Sequence, residues 1–197
     1  MSSYHHGNLR EALIETGIQY VSENGEATLS LRKISAACGV SHAAAYSHFA
    51  DKEALLGAMR DHVTAQFTET LEQTAERHKA QPDMMNHLGR SYVEFFARNP
   101  HYFVFLFYRM GATVDLDHLD FKENYPPFEI FKTIALTVLS GHGSPPGDHP
   151  QGLLAMWSVV HGLAGIAAIS GVRYSGDWGE LTARVLSENT LIKEIHC

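Results

Sequence analysis

Between residues 41 and 48 the chain carries several side chains that can donate hydrogen bonds without holding a fixed charge. Hydroxyl and imidazole groups of this kind donate to phosphate oxygens and to the edges of bases. They belong to Ser41, His42, Tyr46, Ser47 and His48. Residues 43–45 of the same stretch are three consecutive alanines. Because their side chains are short, the backbone there can approach a surface closely. This combination indicates a contact with nucleic acid.

Two short helices joined by a tight turn would position these side chains. Ser30 can cap the first helix through its hydroxyl, and Gly39 can end it because glycine enters the left-handed conformation without steric cost. Ser41 can cap the second helix, which the sequence predicts over residues 42–49. This spacing is that of a helix-turn-helix, whose second helix enters the major groove of DNA. A helical hairpin inside an all-α core has similar spacing, so the pattern alone leaves that alternative open.

Apolar residues elsewhere recur at helical spacing, which predicts an all-α chain. We expect helices over residues 8–24, 51–80, 84–98, 128–139, 151–170 and 177–195. An aromatic stretch lies at 101–110, an acidic irregular stretch at 111–124, and a loop rich in Gly, Pro and His at 141–150. Because no flexible linker follows residue 51, the long helix is expected to couple the first part of the chain to the rest.

Four short motifs carry a family resemblance. They are LRKI at residues 31–34, CGVS at 38–41, YSHF at 46–49 and KEALL at 52–56. In this order they resemble the DNA-binding domain of the TetR (tetracycline-repressor) family of bacterial transcriptional regulators. YHHGNLR at residues 4–10 resembles the opening of one subgroup, whose C-terminal domain carries a Trp-His-Gly signature. This chain has Trp157, His161 and Gly162, which resemble that signature.

The resemblance implies an N-terminal three-helix helix-turn-helix domain at residues 1–52, joined by a long helix to a helical ligand-binding and dimerisation domain at 53–197. It also implies a ligand-responsive DNA-binding regulator. The expected kind is a repressor, which a small-molecule inducer releases from a palindromic operator in double-stranded DNA. Its partner would be a second copy of the chain, joined through the last two helices. One departure is Ser47, because relatives often carry an arginine there that would contact phosphate or guanine.

The expected DNA contacts come from three helices. Ser30 and Arg32 would contribute from the second helix, and Lys52 from the first turn of the fourth. The recognition helix would contribute Ser41, His42, Ala43, Ala44, Tyr46 and His48. The candidates for base edges are His42, Ala43 and Ala44, and those for phosphate are Tyr46, His48 and Lys52. Because a cation at a helix N-terminus gains nothing from the helix dipole, Lys52 suggests an external anion.

Aromatic side chains in the second half could enclose a ligand of the kind that TetR proteins bind between these helices. The candidates for the lining are Tyr92, Phe96, Phe103, Phe107, Tyr125, Phe131, Trp157 and His161. Polar groups among apolar ones, such as His161 four residues after Trp157, would orient the ligand. An ordinary aromatic core would show the same pattern, and a core histidine with satisfied hydrogen bonds explains His161 equally well.

No cofactor, metal or catalytic site is expected. The densest groups of possible metal ligands are His118 with Asp115, Asp117 and Asp120, and His142 with His149. Neither group has the tight spacing of a zinc site. The chain contains no nucleophile elbow, phosphate loop or HExxH motif, and close helix packing explains the GxxG at residues 162–165. An enzyme is therefore not expected.

Composition limits the remaining classes. No apolar run reaches the roughly 18–20 residues of a membrane span, no signal-peptide pattern opens the chain, and the 2 cysteines imply no disulfide framework, so we expect a cytoplasmic protein. The net charge of −7 is unusual for a DNA-binding protein, and residues 1–60 carry five basic against six acidic side chains. A helical ligand-binding or scaffold protein with a degenerate helix-turn-helix stays open as the alternative.

Overall fold

The computed structural model describes residues 9–79, 81–110, 114–115, 125–141 and 143–188. Within these ranges every regular element is helical, which confirms the all-α prediction. The helices are α1 (Leu9–Asn24), α2 (Leu31–Ala37), α3 (His42–Tyr46), α4 (Lys52–Arg77), α5 (Met84–Arg98), α6 (Pro100–Phe103), α7 (Pro126–Gly141), α8 (His149–Ala168) and α9 (Trp178–Glu188). Shorter 3-10 turns lie at Glu26–Thr28 and Pro146–Asp148, and a π-helix lies at Val104–Arg109.

Most helix bounds lie close to the predicted ones. α5 has the predicted bounds, because a proline follows its C-cap and the residue before proline disfavours the helical conformation. α7 and α8 each begin two residues before the predicted position, and α4 ends at Arg77 instead of residue 80. Several parts of the sequence analysis fall outside the described residues. They are the motif before residue 9, the acidic stretch at 111–124 apart from residues 114–115, His118 with Asp117 and Asp120, His142, and the end of the last helix at residue 195.

The recognition helix α3 is shorter than the predicted 42–49, since it ends at Tyr46. The Ser47 hydroxyl donates to the Ala44 carbonyl at 2.7 Å, and the His48 N–H donates to the Ala45 carbonyl three residues back at 3.0 Å. A serine side chain that bonds the backbone in this way competes with the helical hydrogen bonds. The helix therefore tightens into a turn directly after Tyr46.

The chain forms two compact units, and α4 contributes to both. The first unit contains Met1–Ala65 and His101–Gly111, and the second contains Gln66–Pro100 and Ala112–Cys197. The division between them falls inside α4, and α6 with the following π-helix belongs to the first unit. These units are defined by contacts within the chain, whereas the boundary that we expect after residue 52 separates two functions. That functional boundary stays a prediction.

The first unit is built around α1, which packs against α2 and the π-helix. Gly17 allows α1 to approach α4, because a Cβ at this position would lie 2.8 Å from the sulfur of Met59. The apolar core of this unit includes the fully or almost fully buried Leu13, Ile14, Ile18, Val21, Ile34, Leu55, Leu56 and Val63. This packing supports α2 and α3, the two helices of the predicted helix-turn-helix.

The second unit is centred on α5, which packs against α8 and α9. Gly89 permits the close approach, because a Cβ there would lie 2.6 Å from Cδ1 of Leu186. Among the described residues, the ring of Phe67 has three aromatic neighbours. Its centroid lies 4.9, 4.8 and 4.7 Å from those of Tyr92, Phe95 and Phe96, respectively. Aromatic packing of this kind makes α5 the core helix of the unit.

Among the described residues, the stretch Pro146–Ala168 is long and apolar enough to cross a membrane, with a mean hydropathy of 1.3. In the protein 28% of its most apolar window is buried. Core helices of proteins outside membranes pass the same test of length and composition, so this stretch is weak support for a membrane span.

Candidate nucleic-acid interface and aromatic cluster

Both predicted helix caps of the helix-turn-helix are present. The Ser30 hydroxyl accepts a hydrogen bond from the Lys33 N–H at 3.3 Å, and the Ser41 hydroxyl accepts one from the Ala44 N–H at 3.2 Å. Gly39 lies in the turn with a φ of 69°, in the left-handed region that favours glycine. Each serine keeps its own proton, so each hydroxyl can still donate to an external acceptor such as a phosphate.

One face of α3 packs against the first unit and the other faces solvent. Ala45 is fully buried and Ala44 is half-buried. The exposed residues of α3 and its two flanks are Ser41, His42, Ala43, Tyr46, Ser47 and His48. The side chain of Tyr46 is 56% exposed, which leaves most of a large aromatic ring uncovered. The predicted contacts from this helix are therefore accessible to solvent, except that Ala44 is only partly so.

The basic side chains beside α3 are held in different ways. Arg32 is exposed and makes no hydrogen bond or ion pair with another described residue. Lys33, in contrast, donates to the Tyr20 hydroxyl at 3.0 Å and to the Thr28 carbonyl at 2.8 Å. The hydrogen bond from Lys33 lowers the pKa of Tyr20. Arg32 is therefore available to a phosphate, whereas Lys33 stabilises the connection between α1 and α2.

Lys52 has an acidic neighbour in the chain. Its Nζ lies 3.9 Å from Oε1 of Glu26, and the two side chains are 32% and 41% exposed. A partly exposed pair at this distance contributes little to stability. Glu26 thus offers Lys52 an anion within the chain, which weakens the expectation that an external anion explains this lysine, although the long contact leaves the ammonium accessible.

Glu15 of α1 forms the centre of a polar cluster that the sequence did not predict. Its Oε1 lies 2.6 Å from His62 Nε2 of α4 and 2.5 Å from the Tyr102 hydroxyl of α6, and Oε2 lies 3.9 Å from His101 Nε2. Partial burial raises the pKa of Glu15, but His101, Tyr102 and His62 together outweigh it and hold the pKa at about 2. The carboxylate is therefore ionised at neutral pH and joins three helices of the first unit.

Five of the eight predicted lining residues form one aromatic cluster in the second unit. These residues are Tyr92, Phe96, Phe131, Trp157 and His161. The centroid of the Tyr92 ring lies 5.6, 6.2 and 6.3 Å from those of Phe96, Phe131 and His161, and the Trp157 and His161 rings are 4.9 Å apart. The cluster joins α5, α7 and α8, and the role of these residues as the lining of a ligand site stays a prediction.

The other three predicted lining residues lie elsewhere or only partly inside. Phe103 and Phe107 belong to the first unit, where their ring centroids are 5.0 Å apart. Tyr125 is half-buried in the second unit, directly before α7. Aromatic periodicity predicts a single lining for all eight residues, because it does not report which unit a helix joins.

A buried hydrogen bond links Tyr92 to His161 inside the cluster. The Tyr92 hydroxyl lies 2.9 Å from His161 Nδ1. Burial raises the pKa of Tyr92 well above its usual range, so the phenol keeps its proton. Which of the two groups donates in this hydrogen bond depends on the tautomer of the imidazole. Burial also lowers the pKa of His161, which favours a neutral imidazole. The structure thus supports part of the alternative interpretation, a core histidine held by its neighbours.

Metal-ligating groups are sparse in the part of the chain that the structure describes. No group of three or more His, Cys, Asp or Glu side chains is placed there to hold a metal ion. Of the two histidine groups considered from the sequence, only Asp115 and His149 lie within the described residues. His149 Nε2 lies 3.1 Å from the Ser144 carbonyl, which is a loop contact.

A capped, exposed helix after a glycine turn is the arrangement found in helix-turn-helix DNA-binding regulators. Two family models match the sequence: "Bacterial regulatory proteins, tetR family" over residues 13–59 and "Tetracyclin repressor-like, C-terminal domain" over residues 85–188. The second match alone covers more than half of the 197 residues. The chain belongs to the TetR family of bacterial regulatory proteins and is a ligand-responsive DNA-binding transcriptional regulator.

Solved structures share the fold at low sequence identity. A tetR-family regulatory protein from Rhodococcus RHA1 is 16% identical over 95% of this chain and 97% of its own, with a TM-score of 0.71. The ketosteroid transcriptional regulator KstR2 of Mycobacterium tuberculosis is 14% identical over 96% of each chain, with a TM-score of 0.68. FadR from Bacillus subtilis in complex with stearoyl-CoA is 14% identical over 94% and 96%, with a TM-score of 0.62. No curated protein sequence matches the chain.

Proposed function

We propose that this regulator is a cytoplasmic homodimeric repressor that binds a palindromic operator and leaves it when a small molecule occupies the second unit. The observation that carries the proposal is the solvent-exposed face of α3, where hydrogen-bond donors follow the Ser41 cap. Residues 1–52 would act as the DNA-binding domain and residues 53–197 as the regulatory domain.

On DNA, the N-terminal end of α3 would face the bases. His42, Ala43 and Ala44 would contact base edges, because the first residues of a recognition helix lie deepest in the major groove. The residues that would hold the phosphates are Ser30, Arg32, Ser41, Tyr46, His48 and Lys52. The exposed positions of Arg32 and Tyr46 support this division.

A dimer would compensate for the weak positive charge of one copy. Phosphate contacts supply much of the affinity for DNA, and the chain carries a net charge of −7. Two half-sites read by two copies would double the contacts. The exposed apolar side chains on and after α8 support an interface there: Leu154, Ile166, Ile169 and Val172 are 43, 45, 54 and 41% exposed. A second copy that packs on α8 and α9 would cover them.

The inducer would be a small molecule with a large apolar part and at least one polar group. The cluster of Tyr92, Phe96, Phe131, Trp157 and His161, with Tyr125 beside α7, supplies apolar surface and few polar groups. Two proteins of the same fold are named for or bound to such compounds, a ketosteroid regulator and a FadR that holds stearoyl-CoA. Binding would favour a dimer geometry in which the two α3 helices no longer match successive major grooves, about 34 Å apart.

The experiment is a fluorescence-anisotropy titration of the purified chain with DNA from the flanks of its own gene. Specific binding at a palindrome, with two copies per site and a steep loss of affinity as salt rises, supports the proposal. Arg32→Gln should weaken binding, whereas the matched variant Arg77→Gln on α4, also exposed and outside the proposed dimer interface, should bind as the wild type does. Equal affinity of all three proteins for the palindrome and for unrelated DNA contradicts it.

A further inference from the structure

A polar cleft of about 390 Å³ opens between α4 and α5 in the second unit. Pockets that hold small molecules have volumes of roughly 300–1,000 Å³, so the cleft is large enough for one. Its lining consists of Gln66, Thr70, Gln73, Thr74, Arg77, Ser91, Glu94, Phe95, Arg98 and Asn99. None of these residues belongs to the aromatic cluster in which we place the inducer.

Hydroxyl groups inside the cleft offer acceptor lone pairs. Thr74 is buried, and its hydroxyl donates to the Thr70 carbonyl at 2.9 Å. Since that uses its only proton, the contact of 2.8 Å between Thr74 Oγ1 and Ser91 Oγ must be donated by Ser91. The Thr70 hydroxyl is likewise committed as a donor, to the Gln66 carbonyl at 2.8 Å. Thr70 and Ser91 therefore keep lone pairs that can accept hydrogen bonds from a ligand.

Guanidinium groups supply the opposite chemistry in the same lining. Glu94 accepts from Arg98 at 2.8 Å and from Arg90 at 2.7 Å, so its carboxylate is held by two cations. Arg98 uses one of its five donors in that contact. Arg77 is exposed and makes no hydrogen bond or ion pair with another described residue. Two arginines against one carboxylate leave the lining with a net positive charge.

We propose that the cleft binds a small hydroxylated anion, a sugar phosphate or a sugar acid. Its phosphate or carboxylate would accept from Arg77 and Arg98, which suit oxyanions because guanidinium groups present paired donors. Its hydroxyls would donate to the lone pairs of Thr70 and Ser91. The site is additional to the inducer pocket, and its test involves no DNA, so either proposal can fail without the other.

Isothermal titration calorimetry of the full chain, with four probes, tests the ligand class. The probes are glucose phosphate, gluconate, glucose and inorganic phosphate. We expect saturable binding of glucose phosphate or gluconate, and which of the two binds more tightly identifies the anionic group. Neutral glucose and inorganic phosphate should each bind at least about tenfold more weakly, because each lacks one half of the recognition. Absence of saturable heat from both hydroxylated anions up to about 10 mM overturns the proposal.

Three variants place the binding in the cleft. Arg77→Gln should weaken the preferred anion by about tenfold or more, since it removes a charge-assisted hydrogen bond. Arg184→Gln removes the same charge from an exposed position on α9 outside the cleft and should leave the affinity unchanged. Thr70→Val should weaken the hydroxylated anion but not inorganic phosphate. Equal losses in both arginine variants, or unchanged binding in Arg77→Gln, would mean that the anion binds elsewhere.

Discussion

Nε2 of His62 lies 2.6 Å from Oε1 of Glu15, so that a single carboxylate joins α4 to α1 within the first unit. The Tyr102 hydroxyl donates to the same oxygen. These contacts fix the helix that packs against α2, and they make the first unit sensitive to the charge of Glu15.

Glu15→Gln should lower the free energy of unfolding at neutral pH. The folded-state pKa of Glu15 is about 2 against an ordinary value of 4.5, so its contribution is complete above about pH 4.5 and is lost as the pH falls towards 2. Because 38% of the side chain is exposed, solvent screening limits the contribution to about 1 kcal/mol.

Urea unfolding of the wild type and the variant over a range of pH measures this difference. It should shrink on acidification below about pH 4.5. Glu72→Gln, which removes an exposed charge from α4, is the control and should change stability little. A difference between wild type and Glu15→Gln that stays constant across the acid range would contradict the role of ionised Glu15.

Ser41→Ala should destabilise α3, because the helix has only 5 residues and loses the acceptor for the Ala44 N–H. Loss of such a cap costs about 0.5–2 kcal/mol. Ser22→Ala is the control, since its hydroxyl lies within α1 and donates to the Gln19 carbonyl, so that no helix N-terminus loses an acceptor. Thermal unfolding of the two variants should separate them, and equal melting temperatures would argue against the cap.

Tyr46→Ala should weaken binding to every operator sequence alike, because a phosphate contact carries no sequence information. Replacing Ala43 by serine should instead change the preference among operator variants, because this residue would face base edges. Anisotropy titrations of both variants against a panel of single-base operator changes test the division. If both variants lost the same affinity for every operator in the panel, the assignment of Tyr46 to phosphate and Ala43 to base edges would be wrong.

Tyr92→Phe should destabilise the second unit by about 1–3 kcal/mol, because the Nδ1 atom of His161 loses the hydroxyl partner that lies 2.9 Å away. The aromatic ring and its packing are retained, so the loss reports the hydrogen bond. Tyr108→Phe is the matched control, since Tyr108 is 72% exposed. Unfolding curves of the two variants that coincide with the wild type would mean that the hydroxyl contributes nothing.

The sequence predicted those features that depend on residues close together in the chain. The caps by Ser30 and Ser41 and the turn at Gly39 each involve partners within a few positions, and all three are present in the structure. The early end of α3 was missed because it depends on which way the Ser47 hydroxyl points. Periodicity reports apolar faces and says nothing about such a choice.

Contacts between distant positions could not be predicted in the same way. His62 and Tyr102 lie 47 and 87 positions after Glu15 in the chain, and each of the three is an ordinary polar residue on a helix. Likewise, no local signal indicated that residues 101–110 would join the first unit, which separated Phe103 and Phe107 from the aromatic cluster. A single sequence offers no measure of such pairings.

The most direct test of the account is the titration of the full chain with DNA from the flanks of its own gene at several salt concentrations. The account predicts specific binding to a palindrome with two copies per site, an affinity that falls steeply with salt, and a uniform loss in Tyr46→Ala. Absence of specific, salt-sensitive binding at any palindrome near the gene would contradict it and would favour a helical ligand-binding or scaffold protein with an inactive helix-turn-helix.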